Sequence, residues 1–239
     1  DEVMNKLTPF DKEDGKIQLY DIYANPRKDE TGAAVDISAS DLVEKYLTAL
    51  GGRQKLDAVK SLDQTYTMDM MGTSITSRVV QNSGKFTMVM STQGMTVMKQ
   101  VYDGEKGLME QGGQQFPVEG SDLESMKEQS VLFVERNYNM EGYTTEVKGM
   151  EDVNGKACYK LVVTKPSGTK STEFYDQTTN LKIKEVQTAV AQGQTSVTTF
   201  EYGDYKVVDG INIPHTITVS GPMPTPIVMK ASTIKVNGE

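Results

Sequence analysis

Apolar positions follow a helical period in the first part of the chain and a period of two afterwards, and the switch falls near residue 61. Leu42, Val43, Tyr46, Leu47 and Leu50 recur on one helical face. Ser38-Ala39-Ser40-Asp41 ahead of them is capping-box-like, with Asp41 in place of the usual Glu or Gln, and Gly51-Gly52 supplies a positive-φ stop. A second short helix is expected over 53–59, with Leu56 and Val59 inward. From Ser61 on, Leu62, Tyr66, Met68 and Met70 alternate with Asp63, Thr65, Thr67 and Asp69, as in a strand with one wet face.

Turn signals then recur at Met71-Gly72, Ser83-Gly84, Gln93-Gly94, Asp103-Gly104 and Gly112-Gly113, and they separate strand-like runs at 74–82, 85–92, 95–102 and 107–111. Ser121-Asp122-Leu123-Glu124 reads as a capping box opening a helix that runs through Met126 toward Phe133. The meander resumes at 143–152, 156–164, 169–175, 181–190, 195–202, 205–208, 213–219 and 227–236, with Asn154-Gly155 a strong hairpin signal and Asp209-Gly210 a second. Strands of this length and spacing predict a mainly β protein with a few helices (α+β), built on one antiparallel sheet that is strongly curved or partly closed.

Residues 1–37 differ in character. Asp1–Leu7 reads as the end of a helix, 16–23 alternates like a short strand, and 25–32 is a polar linker, so the division is an N-terminal extension over 1–37 and a curved-sheet domain over 38–239. The opening Asp1-Glu2-Val3 is read as an interior cut.

The 25 basic and 33 acidic residues leave a net charge of −8, with no basic block, which argues against nucleic-acid binding. No run reaches the length of a membrane-spanning helix. The single cysteine, Cys158, precludes an intrachain disulfide and lies mid-strand, away from any helix end that would activate it. One histidine, His215, cannot build a two-His zinc site or a His-Glu-x-x-His motif. It alternates with Ile213, Ile217 and Val219, which suits a hydrogen-bonded core or rim position better than a general base. No Gly-x-Ser-x-Gly elbow, phosphate-cradling loop or calcium loop occurs, so the reading is a non-enzyme with no metal and no cofactor.

The methionines are more informative. Seven of the 14 fall between Met68 and Met98. Tyr66, Met68 and Met70 share one strand face, as do Phe86, Met88 and Met90, and hairpin pairing would set both rows on one side of the sheet. Met is flexible and polarizable, so such a face is either ordinary core or a surface that accommodates varied apolar partners.

The stretch Glu44-Lys-Tyr-Leu-Thr-Ala-Leu-Gly-Gly52, with Leu56 and Val59-Lys-Ser-Leu62 before the meander, resembles bacterial outer-membrane lipoprotein-sorting proteins of the LolA/LolB-like family. Val101-Tyr-Asp-Gly104, Tyr175-Asp-Gln-Thr-Thr-Asn-Leu181, Tyr202-Gly-Asp-Tyr205, Asp209-Gly-Ile211 and Ile213-Pro-His215 extend the likeness over 38–236. The resemblance implies a half-open antiparallel β-barrel wrapped around a helical lid, with an apolar cavity for lipoprotein acyl chains, in the periplasm or at the outer membrane. Leu42, Tyr46 and Leu50 would then be lid contacts, and Tyr66, Met68, Met70, Phe86, Met88 and Met90 the floor. Arg78 and His215 are candidate polar contacts, Arg78 lying where such carriers place a basic residue. Residues 1–23 resemble the closing segment of a pitrilysin/insulinase-type zinc peptidase. That implies a rival role, an accessory domain docked on an upstream peptidase domain or an outer-membrane partner and without a ligand of its own. An enzyme using His215 with a nearby carboxylate is the third possibility.

Overall fold

The structure, a computed structural model, describes residues 35–191, 194–221, 223 and 225–238. Helices α1 (Ala39–Leu50) and α2 (Arg53–Ala58) lead into β1 (Ser61–Met70), β2 (Thr73–Asn82), β3 (Lys85–Thr92), β4 (Met95–Tyr102), β5 (Gly107–Gln111) and β6 (Gln114–Val118). Helix α3 (Gly120–Gln129) and a 3-10 turn (Val134–Asn137) come next. Then follow β7 (Thr144–Val153), β8 (Lys156–Thr164), β9 (Lys170–Asp176), β10 (Lys182–Ala191), β11 (Gln194–Val208), β12 (Ile211–Ser220) and β13 (Ile227–Val236).

The 13 strands of the described residues form one antiparallel sheet in the order β6-β5-β4-β3-β2-β1-β13-β12-β11-β10-β9-β8-β7. Among the described residues the sheet is open, because its edges β6 and β7 pair with no further strand, and it is curled. Strands β7 and β12 stand five positions apart, about 24 Å in a flat sheet, yet α1 touches both. Register shifts at Thr65/Tyr66, Met90/Ser91, Val147/Met150 and Lys182/Lys184 supply the local bends. Since β6 and β7 are consecutive in the chain but occupy opposite edges, residues 119–143 cross the concave side from one edge to the other.

Local chemistry fixes the helices. The Ser38 hydroxyl accepts from the Asp41 amide at 3.0 Å and caps α1. Gly51 ends it at φ 138°, where a Cβ would lie 2.5 Å from the Gly210 carbonyl oxygen, so this stop also lets α1 close against the β11–β12 turn. Leu42, Val43, Tyr46, Leu47 and Leu50 are buried in one core with Leu56, Leu62, Leu161, Val163, Tyr175, Ile211 and Ile213. Helix α3 seats Met126 on Phe86 and Tyr102, a second core. Gly107 makes that seat possible: a Cβ there would meet Val118, Leu123 and Met126 at 2.9–3.0 Å. Val153, Cys158 and Phe174 form a third core on the opposite face of β8 and β9.

Three local readings needed correction. Helix α3 begins at Gly120 with Glu119 as its N-cap, so Ser121 is inside the helix and caps nothing; the helix ends at Gln129 and gives way to the 3-10 turn. Residues 195–202 and 205–208 form one strand, because Asp204 takes a positive φ without breaking pairing to β12. Strand β6 was missed, since Gln114-Gln-Phe-Pro-Val118 is short and holds a proline, a residue tolerated at a sheet edge. The strand and linker expected within residues 1–34 lie outside the described residues.

Candidate functional site

Strand pairing assembles one continuous apolar stretch on the helix-bearing side of β1–β4. Tyr66 faces Ser77 and Met68 faces Ile75 across β1–β2; Ser77 faces Met90 and Met90 faces Met98 across the next two pairs. Directly paired residues project to the same side. Tyr66 and Met68 are buried, whereas Met70, Met88, Met90 and Met98 are half-buried. The Tyr66 hydroxyl accepts from Gln64 Nε2 at 2.8 Å, and burial pushes its phenol pKa up to about 12. At one end of the stretch Phe86 is sealed by α3, with Met88 at the margin of that contact.

The residues expected as lid and floor fall into different packed clusters, with Tyr205 near both Tyr46 and Tyr66. Leu42, Tyr46 and Leu50 belong to the core over β7, β8, β9 and β12, where the Tyr46 ring meets that of Tyr175 edge-on at 5.1 Å. Phe86 and Met88 pack instead under α3. The physical reason is the curl: a sheet this wide has two flanks, and the Gly51-Gly52 stop directs α1 to the β12 flank. Beside the first turn of α1 a cavity of about 50 Å³, lined by residues including Val43, Arg53, Glu135 and Tyr138, is far too small for an acyl chain.

Arg78 alternates out of phase with Ser77 and lies on the other face of the sheet, exposed, with a two-pronged hydrogen bond to Asp63 at 2.7 and 3.0 Å. That hydrogen bond holds the Asp63 pKa below its usual range. Arg78 is therefore not brought to the methionine stretch. His215 is half-buried, its Nδ1 2.9 Å from the Ile213 carbonyl.

Sequence reasoning missed the most polar part of the interior. Lys182 Nζ, buried, lies 2.7 Å from Glu135, 3.1 Å from Glu185 and 3.6 Å from Glu173. Tyr138 donates to Glu173 at 2.5 Å, and Tyr175 and Ser171 donate to the same carboxylate. Tyr202 donates to Glu185 at 3.1 Å, as does Gln187 at 2.9 Å. Burial raises the Glu173 pKa against the pull of Lys182. For Glu185 burial also opposes the charge, but Lys182 and Lys165 prevail and hold it at about 2. Lys182 stays charged because its three carboxylates outweigh its burial. The cluster ties β9 and β10 to the 3-10 turn, and so anchors the crossover to the sheet. Its only sequence trace is the alternation Ser171, Glu173, Tyr175 against Thr172, Phe174, Asp176, which reads as a wet face. Cys158 is buried, its thiol pushed up to about 11 chiefly by burial.

No protein-family profile and no curated protein sequence matches the chain. Solved structures do. A DUF1329 family protein from Desulfovibrio piger superposes with a TM-score of 0.57 at 12 % identity, covering 83 % of this chain and 92 % of that one. A LolA superfamily protein from Nitrosomonas europaea gives 0.57 at 12 %, covering 85 % and 95 %. The fold is LolA-like. A domain from Vibrio parahaemolyticus, provisionally described as an outer-membrane lipoprotein-sorting protein domain, gives 0.54 at 13 %, covering 82 % and 93 %. The LolA-like architecture is thus shared nearly end to end, while the identities leave side-chain chemistry unshared. These likenesses lend no support to a peptidase-associated role, and the segment that resembles a peptidase falls within residues 1–34, outside the described residues.

Proposed function

We propose that the domain is a non-catalytic binder of an apolar ligand, an acyl chain such as that of a lipoprotein, held on the methionine-bearing stretch of β1–β4. The observation that carries this reading is the run Met68, Met70, Met88, Met90 and Met98, on the helix-bearing side yet mostly only half-buried. Burying hydrocarbon there gains about 0.8 kcal/mol per CH₂, and thioether side chains adapt to a flexible chain. The α1 flank, closed and ionic, is the rigid half; the β1–β4 flank is the receiving half. Likeness to a LolA superfamily protein and to a lipoprotein-sorting domain supports the same reading, with action in the periplasm or at the outer membrane.

The test is uptake of a dansyl-labelled fatty acid by the purified chain, with organic extraction of any co-purified lipid. Met90→Asp and Met68→Asp should each weaken uptake about tenfold or more, and Arg78→Ala, on the opposite face, should leave it unchanged. No extractable lipid together with no uptake refutes the reading.

A further inference from the structure

Charge is segregated along the strands. Five hairpins stand side by side in the sheet, β5–β6, β3–β4, β1–β2, β12–β13 and β10–β11, with their connecting turns at the same end. The sequence around those turns, residues 70–74, 91–98, 111–118, 188–200 and 216–229, contains no Asp, Glu, Lys, Arg or His, in a chain that is 24 % charged. At the other end of these strands lie Lys60, Lys85, Asp103, Glu105, Lys106 and Asp209. Three of the uncharged turns present a methionine to solvent: Met71 is 102 % exposed, Met95 63 % and Met223 40 %. The fold does not account for Met71. It packs on nothing and holds φ 55°, a conformation that Gly, Asn or Asp takes more easily.

We infer that this end of the sheet docks on a phospholipid bilayer, with Met71, Met95 and Met223 entering the interface. The inference goes beyond acyl binding, although Met70, next to Met71, carries the proposed ligand surface to the same end. A bilayer fits better than a protein partner. The exposed apolar side chains at this end, the three methionines with Val97, Phe116, Val197 and Val228, are spread over five hairpins rather than gathered into the packed patch of a protein interface core. A soft, laterally uniform surface accepts several shallow anchors at once. Electrostatics permits the approach: the charged side chains nearest this end are of both signs, Asp69, whose carboxylate accepts from the Gly72 amide at 2.9 Å, and Glu110 against Lys99 and Lys230, so a chain of net charge −8 meets the membrane with a locally balanced face.

The experiment is flotation of the whole chain with phosphatidylcholine vesicles, with and without phosphatidylglycerol. The wild type is expected to float with both. The triple variant Met71→Asp/Met95→Asp/Met223→Asp is expected to lose roughly tenfold or more in partitioning while its far-UV circular dichroism is unchanged. The chain has no tryptophan, so Met71→Trp and Met95→Trp report insertion directly, by a blue shift and by quenching with brominated lipid, and do so even if the triple variant fails to fold. Absence of flotation, equal flotation of the triple variant, or a solvent-like spectrum at both tryptophans overturns the inference. Uptake of the dansyl fatty acid in lipid-free buffer separates the two proposals: flotation without uptake refutes acyl binding and leaves docking intact, and uptake without flotation does the reverse.

Discussion

Replacing Lys182 with Met removes the only cation among the described residues that touches Glu135, Glu173 and Glu185 in the buried cluster, while keeping most of the side-chain volume. In the wild type, Glu185 falls from an ordinary 4.5 to about 2, which is worth about 3 kcal/mol at about 1.36 kcal/mol per pH unit. The raised pKa of Lys182 reports the same attraction and is not added to it. Because the Glu185 pKa is depressed, its contribution is complete above pH 4.5 and is lost as pH falls toward 2. Glu173 works in the opposite sense: its pKa is raised, so it favours the fold below its ordinary value and costs stability as pH rises through its folded value. Without Lys182 the burial that raises Glu173 is unopposed by that ammonium, and at Glu185 it is opposed only by Lys165 and hydrogen bonds. Breaking a buried ion pair from one side costs about 3–5 kcal/mol, so Lys182→Met should lower the urea midpoint at pH 8 by roughly 1–2 M. The deficit should shrink at pH 5, where the orphaned carboxylates take up protons. Urea titrations by far-UV circular dichroism at the two pH values measure both effects. A midpoint shift of only a few tenths of a molar, or one equal at both pH values, would show that the cluster is not a desolvated ionic latch.

Two further outcomes follow from packing. Gly107→Val forces a side chain into Val118, Leu123 and Met126, and overpacking of this kind costs about 1–3 kcal/mol; thermal melts should register the loss, and proteolysis should find α3 first. Cys158 should resist Ellman's reagent at pH 8 in the folded protein and react at once in denaturant, because its thiol is buried with a pKa of about 11; rapid reaction of the native chain would contradict its place in the third core.

The strands were largely legible because each is bounded by a turn that announces itself. Runs 85–92, 95–102, 107–111, 156–164 and 227–236 match β3, β4, β5, β8 and β13 residue for residue. Asn154-Gly155 and Asp209-Gly210 do take positive φ at both positions. Helix α1 was readable from Ser38 to Gly51. Two features were hidden for physical reasons. Which flank α1 covers depends on sheet curl, a sum of small twists and bulges that no local pattern records. The ionic cluster joins Glu135 to Lys182 across 47 residues, and a buried charge looks in sequence like a solvated one. The face shared by Tyr66, Met68, Met88 and Met90 was legible from alternation, but the separation of Leu42, Tyr46 and Leu50 from it was not.

Strand β13 has a consequence for biogenesis. It alone joins the two meanders, pairing with β1 on one side, Leu62 opposite Val236, and with β12 on the other. Strands β1 to β6 can form neighbouring hairpins as they leave the ribosome, and β7 to β12 can do likewise. The seam between the halves must wait for the thirteenth strand, which then closes a loop of well over a hundred residues, the kind of late, entropically costly contact that slows folding. Until that moment the growing polypeptide exposes an unpaired β1 edge beside its methionines, which makes the interval before the seam closes the point of greatest exposure to aggregation and chaperone capture.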